Sequence, residues 1–367
     1  MTYIQKFLKG KFESILIFIF FFLFFIIGLL IHKNFGISND EPFQRSVGYY
    51  WYISIIETFS NDTEYIDYLK QKFNSMYWAN YLNDGNLIQY GIFFDTLSAF
   101  IEELFNIKND QDAFYLKHFL TFIIFFVSSI FFYKIIDGRF NNKLFAVLIT
   151  FIFISSPRIF AEAFYNCKDI IFMSFCVISL FFALKNFEYF NYKNLLFFSF
   201  FAALATNIRV MGIFLFVLFV IFIIFDSIEE NKFSKKKLYN LLVLLVTFPL
   251  IVYIFWPFLW DDPVNKLIFT IKSFANYDWP GEVFYLGNFY KGSNLPWHYI
   301  PVWIIVTTPI LILFLFFGFF FKISNIFFTN FLNLSEKNKL WINTNQKKDF
   351  FVLFFLLSPI FLVIILN

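Results

Sequence analysis

Long apolar stretches alternate with shorter polar loops along the whole chain. Several of them approach or exceed the roughly 18 residues that suffice to cross a bilayer. Because only helices and closed barrels satisfy their backbone hydrogen bonds within lipid, these stretches predict membrane-spanning helices. Nine candidate spans follow: 14–32, 114–136, 144–157, 170–184, 194–206, 210–225, 239–258, 299–321 and 350–366. The pattern therefore predicts an all-α polytopic membrane protein with about nine transmembrane helices.

The segment 33–113 is too polar to span a membrane, yet it is not a simple linker. Apolar residues recur at helical spacing from Tyr49 to Phe59 and from Leu87 to Phe105. Asn-Asp and Asp-Gly pairs punctuate these stretches. We expect amphipathic helices that lie along the membrane interface in this first outer loop.

Composition supports the membrane assignment. Hydrophobic residues make up 59% of the 367 residues and charged residues 15%, against about 45–50% and 25% in soluble proteins. The 66 Phe residues accompany abundant Ile, Asn and Lys, as an AT-rich coding bias would produce, so their number carries no functional signal. Two cysteines, Cys167 and Cys176, are too few for a disulfide framework.

The distribution of Lys and Arg predicts that the N-terminus is cytoplasmic. The inner segments 1–13, 134–143, 185–194, 226–238 and 322–348 would then carry 17 basic residues. The outer segment 33–113 carries five basic and twelve acidic residues. No cleavage signal follows the first apolar stretch, which we interpret as an uncleaved span.

With this topology, the charged motifs next to the spans all lie on the outer face. Charges at membrane depth are costly and tend to line functional cavities. The motifs suggest a site for an anionic, amphipathic substrate, with these candidate residues: Asp40, Glu41, Arg158, Glu162, Lys168, Asp169, Arg209 and His298.

Each motif also has a purely structural interpretation. Asp40 and Glu41 could form a solvated interfacial pair. Asp169 could act as the N-cap of the fourth span, and Lys168 and Arg209 could extend toward lipid head groups. The three histidines match no ligand spacing, so we predict no metal site.

The ordered motifs resemble those of the GT-C superfamily of lipid-dependent glycosyltransferases, in the branch that contains protein O-mannosyltransferases and the aminoarabinose transferase of lipid A. The matching residues are Asp40-Glu41, Pro157 to Glu162 leading into Asn166 to Ile170, Ala205 to Arg209, and Pro296 to Pro309. The resemblance extends over about residues 14–321. Bacterial relatives often have Asn-Pro-Lys-Asp at the position of Asn166 to Asp169, whereas this chain has Cys167 in place of the proline.

The resemblance implies a single GT-C-like transmembrane domain over 1–367. Members usually have more spans, and many have an outer domain, so we expect a C-terminal part beyond Asn367. It also implies a donor sugar on a polyprenyl or dolichyl monophosphate, inversion at the anomeric carbon, and an outward-facing site in a bacterial inner membrane. No cofactor is required by this chemistry, and a divalent metal is left open.

The same resemblance suggests a role for each site residue. Asp40 is the expected general base, with Glu41 as an orienting or alternate base. Lys168 and Arg209 are the expected cations for the lipid phosphate, and Asp169 would orient Lys168. Arg158, Glu162 and His298 are candidates for lining the cavity.

Two alternatives remain open at this stage. A polytopic transporter or flippase would carry charges in span centres and an internal repeat. A polysaccharide polymerase or ligase would carry a large outer loop rich in Arg and His. The sequence names neither the sugar nor the acceptor, which could be a lipid, a glycan or a protein, and no motif indicates nucleic acid.

Overall fold

A computed structural model describes residues 3–89, 91–189, 191–229, 235–275, 281–333 and 340–366. The terminal Asn367 and part of the predicted inner segment 226–238 lie outside the described residues. The described residues are mostly helical and include one short β-hairpin. Five described helices are long and apolar enough to cross a membrane, and a bent helix pair could be a sixth span. The prediction of an all-α polytopic membrane protein is confirmed, whereas the count of nine spans stays a prediction.

The elements follow one another with short connections. The helices are α1 (Tyr3–Ile31), α2 (Glu41–Phe59), α3 (Thr63–Asn74), α4 (Ala79–Asn83), α5 (Phe93–Leu104), α6 (Asp110–Phe140), α7 (Lys143–Ile154), α8 (Pro157–Tyr165), α9 (Asp169–Glu188), α10 (Tyr192–Ile208), α11 (Ile213–Glu229), α12 (Lys235–Ile254), α13 (Pro263–Ala275), α14 (Tyr299–Thr307), α15 (Ile310–Leu332) and α16 (Thr344–Leu366). The strands are β1 (Glu282–Tyr285) and β2 (Asn288–Lys291). They pair antiparallel, with Glu282 opposite Lys291.

Two predicted span boundaries differ from the structure because of prolines. The stretch 144–157 belongs to α7 and α8, which meet at a bend of 68°. Ser156 precedes Pro157 and is extended, with ψ of 120°, as a residue before proline tends to be. The stretch 299–321 breaks in the same way at Pro309. Helix α15 begins after this proline and ends at Leu332, eleven residues beyond the predicted end of the span.

Helices α2 to α5 fold the segment 33–113 against the bundle. The predicted helix from Tyr49 to Phe59 is the C-terminal part of α2, whereas in the predicted stretch from Leu87 to Phe105 the helix α5 begins only at Phe93. The N-terminal half of α2 is buried in protein and packs on α5. At Gly48 an added Cβ would come within 2.3 Å of the Asp95 carbonyl oxygen, so the two helices meet through backbone. Their position along a membrane interface stays a prediction.

The centre of the bundle is built from α6, α9, α10 and α12. Aromatic side chains fill it, and Phe198 and Phe219 lie fully buried with ring centroids 4.2 Å apart. Helices α10 and α11 meet in a tight turn, because a Cβ at Gly212 would come within 2.5 Å of the Thr206 nitrogen. Helices α6 and α9 both begin at the end of the bundle where α2 begins.

Candidate active site

The two adjacent acids at the start of α2 have different surroundings. Asp40 occupies the N-cap position and is exposed, and its side chain makes no cap hydrogen bond. Among the residues that the structure describes, no side-chain hydrogen bond or ion pair to Asp40 is found. Glu41 is fully buried. Of these two acids, only Asp40 therefore has an accessible carboxylate.

Glu41 is held from two sides. Its Oε2 accepts a hydrogen bond from the Ser38 backbone nitrogen at 2.6 Å, and its Oε1 lies 2.9 Å from His118 Nε2. The second contact has ion-pair distance, although its angles are too bent for a regular hydrogen bond. His118 Nδ1 lies 3.2 Å from the His32 carbonyl oxygen, which can only accept, so Nδ1 carries a proton. The His118 imidazole is therefore fixed between the His32 carbonyl oxygen and the Glu41 carboxyl group, and both side chains are buried.

A second buried ion pair lies next to the first. Lys117 Nζ is 2.8 Å from Asp95 Oδ1, and both side chains are buried. Lys117 and His118 project from the second turn of α6, and Asp95 comes from α5. The sequence reasoning missed Asp95 and Lys117. The available signal was a lysine and a histidine inside an otherwise apolar stretch.

The start of α2 is joined to the turn between α8 and α9. Ser38 Oγ donates to the Tyr165 carbonyl oxygen at 3.5 Å. The Cys167 thiol donates to Gln44 Oε1, with both groups buried. Burial raises the pKa of Cys167 to about 12, so this thiol is neutral and acts as a donor. Gln44 lies one helical turn after Asp40, and Cys167 is the residue before Lys168. The contacts therefore connect the helical turn that follows Asp40 to the turn that carries Lys168.

Asn166 shapes the turn that presents Lys168 and Asp169. Its Oδ1 accepts hydrogen bonds from the backbone nitrogens of Asp169, at 2.8 Å, and of Lys168, at 3.3 Å. The structural alternative in which Asp169 is the N-cap is wrong. Lys168 occupies that position and Asp169 is the first helical residue, because Asn166 already binds the free N–H groups.

Lys168 is buried at this turn. The pKa of Lys168 is lowered to about 8, mainly by burial; the charge of Asp95 opposes this shift, whereas the charges of Arg209 and Lys117 add to it. The ammonium therefore lies within the field of the Asp95–Lys117 pair and of Arg209.

Arg209 lies where α10 ends, in an extended conformation. Its Nη2 is 2.5 Å from Asp169 Oδ1, and both side chains remain partly exposed. The predicted partners Lys168, Asp169 and Arg209 are thus brought together. Asp169 contacts Arg209 here, whereas the sequence suggested that it would orient Lys168. That suggested role stays a prediction.

Arg158 and Glu162 lie along α8 and lead to the same turn. Arg158 Nε donates to Glu162 Oε1 at 2.8 Å. Glu162 Oε2 accepts from Asn166 Nδ2 at 3.1 Å, and the same nitrogen lies 3.2 Å from Asp169 Oδ2. A chain of polar contacts therefore connects Arg158 to Arg209 along one surface.

His298 is placed in a different environment. Its Nδ1 lies 2.6 Å from the hydroxyl of Tyr285, which belongs to β1. Within the described part of the chain, none of its hydrogen bonds reaches Asp40, Lys168 or Arg209. Its role in lining the cavity stays a prediction.

A further network of ion pairs joins α2 to α3 and α5. Arg45 binds Glu102 through Nε at 3.0 Å and Nη2 at 2.7 Å, and Lys72 lies 3.0 Å from the same carboxylate. Burial of the Glu102 carboxylate acts to raise its pKa. Hydrogen bonds and charges from Arg45 and Lys72 outweigh this effect and lower the pKa of Glu102. The network fixes α2 against α3 and α5, which holds its N-terminus in place.

Within the described residues, no group of three or more His, Cys, Asp or Glu side chains is arranged to hold a metal ion.

Comparison with protein families gives one match. The model of the dolichyl-phosphate-mannose-protein mannosyltransferase family matches residues 96–256, which is less than half of the chain. A search of curated proteins and a search of solved structures found no match. The matched region contains Lys117, Lys168 and Arg209 and ends before His298. The match confirms the resemblance to membrane glycosyltransferases of the GT-C superfamily.

Proposed function

We propose that this GT-C-type membrane glycosyltransferase transfers a sugar from a polyprenyl-monophosphate donor to an acceptor, with inversion at the anomeric carbon. The acceptor is a lipid, glycan or protein. The reaction takes place on the outer, periplasmic face of a bacterial inner membrane, with the N-terminus in the cytoplasm.

The observation that carries this proposal is the buried Lys168 beside Arg209, at the end of the bundle where the exposed Asp40 lies. Two cations at the ends of membrane helices suit the phosphate of an amphipathic donor, whose isoprenoid chain stays in lipid. Arginine can bind phosphate oxygens through two parallel hydrogen bonds, whereas lysine acts as a point charge.

The bond changes follow from these positions. The hydroxyl oxygen of the acceptor attacks the anomeric carbon, and Asp40 takes the hydroxyl proton as general base. The bond between that carbon and the phosphate oxygen breaks, and polyprenyl phosphate leaves with the bonding electron pair. Lys168 and Arg209 stabilise the negative charge that gathers on the leaving phosphate.

Glu41 has a positioning role in this proposal. Its carboxylate is buried against His118 and the Ser38 backbone nitrogen, so it does not reach a substrate without losing both contacts. By fixing the first turn of α2, it sets the direction of the neighbouring Asp40 side chain.

The transporter alternative receives no support from the buried charges. Lys117 and His118 lie in the second turn of α6, close to its beginning at Asp110, and not at the centre of the 31-residue helix. Charges at a span end suit a site at the interface, where the phosphate of a lipid donor lies.

Transfer of label tests this function directly. Membranes from cells with and without the gene supply the acceptor, and polyprenyl-phosphate sugars carrying a radioactive hexose or pentose supply the donor. We expect label in an envelope product, with release of polyprenyl phosphate, only when the protein is present. Transfer that requires a nucleotide sugar, or no transfer from any lipid-linked sugar, would contradict the proposal.

A further inference from the structure

A long groove opens at the end of the bundle opposite Asp40. Helix α6 begins near the candidate site and ends at Phe140, so Lys134 lies about 26 Å along the helix from Lys117 at 1.5 Å per residue. The groove has a volume of about 860 Å³ and lies between α6, α7, α9, α15 and α16. It shares no lining residue with the site described above.

The wall of the groove is apolar. Helix α15 contributes a stripe at helical spacing, which includes Leu311, Leu315, Phe319 and Ile326. Aromatic side chains form much of the opposite wall: Phe132, Phe153 and Phe181. An apolar channel along the length of a membrane helix suits a hydrocarbon chain.

The rim of the groove carries an excess of positive charge. Five basic and two acidic residues line it: Lys134, Arg139, Lys185, Lys322, Lys348, Glu188 and Asp349. The two carboxylates are already engaged, since Arg139 binds Asp349 at 2.8 Å and Lys348 pairs with Glu188. In the described ranges no ion pair is found for the other three lysines, which are exposed.

Two of these lysines are held beside the same aromatic ring. The Lys185 ammonium lies 5.5 Å from the ring centroid of Phe181, and the Lys134 ammonium lies 6.0 Å from it. Cation–π contacts of this kind keep both charges at the groove. Together they offer an anion two positive partners at one place.

The length of the groove indicates what could occupy it. From Lys322 to Leu311 the helix covers eleven residues, or about 16 Å at 1.5 Å per residue. One leaflet of the hydrocarbon core is about 15 Å, half of roughly 30 Å. An acyl chain of one leaflet matches this length, whereas a long polyprenyl chain would extend beyond it.

We propose that this groove is a binding site for an anionic phospholipid of the surrounding bilayer. The head-group phosphate lies between Lys134 and Lys185, and one acyl chain follows α15 from Lys322 toward Leu311. Basic pockets between membrane helices bind anionic head groups in this manner. The groove is separate from the proposed donor site, so this inference does not depend on the proposed transfer reaction.

The test measures which lipids stay with the protein. The full chain is reconstituted in nanodiscs that contain equal phosphatidylglycerol and phosphatidylcholine with a small amount of polyprenyl phosphate, and native mass spectrometry counts the retained lipids. The variant Lys134→Gln/Lys185→Gln removes the two charges. The control Lys143→Gln/Lys193→Gln removes two lysines from the first turns of α7 and α10 at the same end, outside the groove. The variant Lys134→Arg/Lys185→Arg keeps both positive charges. It shows whether substitution at these two positions disturbs the fold by itself.

We expect phosphatidylglycerol to be retained preferentially by the wild type, by the control and by the arginine variant. The glutamine variant should lose roughly 10- to 30-fold of this preference, as two lysines near a lipid phosphate imply. Equal retention by the glutamine variant and the wild type would overturn the proposal. Equal retention of the two phospholipids by the wild type, or polyprenyl phosphate as the preferred occupant, would overturn it as well.

Discussion

The imidazole Nε2 of His118 lies 2.9 Å from Oε1 of Glu41, and this contact separates the roles of the two adjacent acids at the start of α2. Glu41 is turned into the protein, whereas Asp40 remains exposed. The two adjacent acids thus divide into one buried carboxylate and one accessible carboxylate.

Replacing Glu41 should destabilise the protein. Glu41→Ala leaves the buried His118 and the Ser38 N–H without their carboxylate, and leaving a buried polar group without its partner costs about 1–3 kcal/mol. We expect a clear fall in Tm for the protein in detergent. Asp40→Ala is the matched control, because an exposed side chain without contacts contributes about 0.5 kcal/mol or less. Equal Tm values for the two variants would contradict the assignment of Glu41 as the structural acid.

The buried Lys168 should make stability depend on pH in a defined direction. Burial lowers the pKa of Lys168 from 10.5 to about 8, so the folded protein binds this proton more weakly than the unfolded chain does. Stability therefore rises as the pH increases from about 8 to 10.5. Lys168→Met removes this pH-dependent contribution. It should raise Tm at neutral pH, where the charged amine lowers the free energy of unfolding by roughly 3 kcal/mol.

The difference in Tm between Lys168→Met and the wild type should shrink as the pH approaches 10.5. Lys193→Met serves as the control, because Lys193 is exposed at the opposite end of the bundle. A Tm difference that stays constant over this pH range would show that the Lys168 amine is not held in a costly environment.

Arg209 should be needed for use of the donor. Arg209→Ala removes a charge-assisted contact with phosphate worth about 1.5–3 kcal/mol, so the KM for the lipid-linked sugar should rise roughly 10- to 100-fold. Arg209→Lys should recover part of this loss, since it keeps the charge and loses the planar fork. Lys266→Gln, which breaks an exposed ion pair with Asp261, should leave KM unchanged. An unaltered KM for Arg209→Ala would refute the phosphate role.

Gly91 should be intolerant of a side chain. An added Cβ would lie 2.1 Å from the Asn207 carbonyl oxygen and 2.3 Å from that of Ile208, both in the backbone just before Arg209. Gly91→Ala should cost about 1–3 kcal/mol through forced displacement, measured as a lower Tm. Gly36→Ala is the control, because no atom lies within 4 Å of its added Cβ. Wild-type stability of Gly91→Ala would contradict this close approach.

The fold class was readable from hydrophobicity because lipid exposure demands long apolar helices. The bend between α7 and α8 and the break at Pro309 were missed, since the apolar composition continues across both prolines. The pattern alone counts residues, whereas proline geometry decides where a helix ends. Both breaks could have been found from Pro157 and Pro309 themselves.

The site was readable in part. The meeting of Lys168, Asp169 and Arg209 followed from topology, because α9 and α10 are joined by a short connection at one end, so the start of α9 and the end of α10 lie on the same face. The pairing of Asp95 with Lys117 and of Glu41 with His118 was not predicted. These contacts join residues far apart in sequence, and a single sequence holds no record of which charges face each other.

Asp40→Asn tests the central claim most directly, in single-turnover transfer from a polyprenyl-phosphate sugar. Asparagine keeps the size of the side chain and its exposure, so Tm and donor binding should be unchanged, while the transfer rate falls roughly 10²- to 10⁴-fold through loss of the general base. Transfer at the wild-type rate by Asp40→Asn would contradict the account.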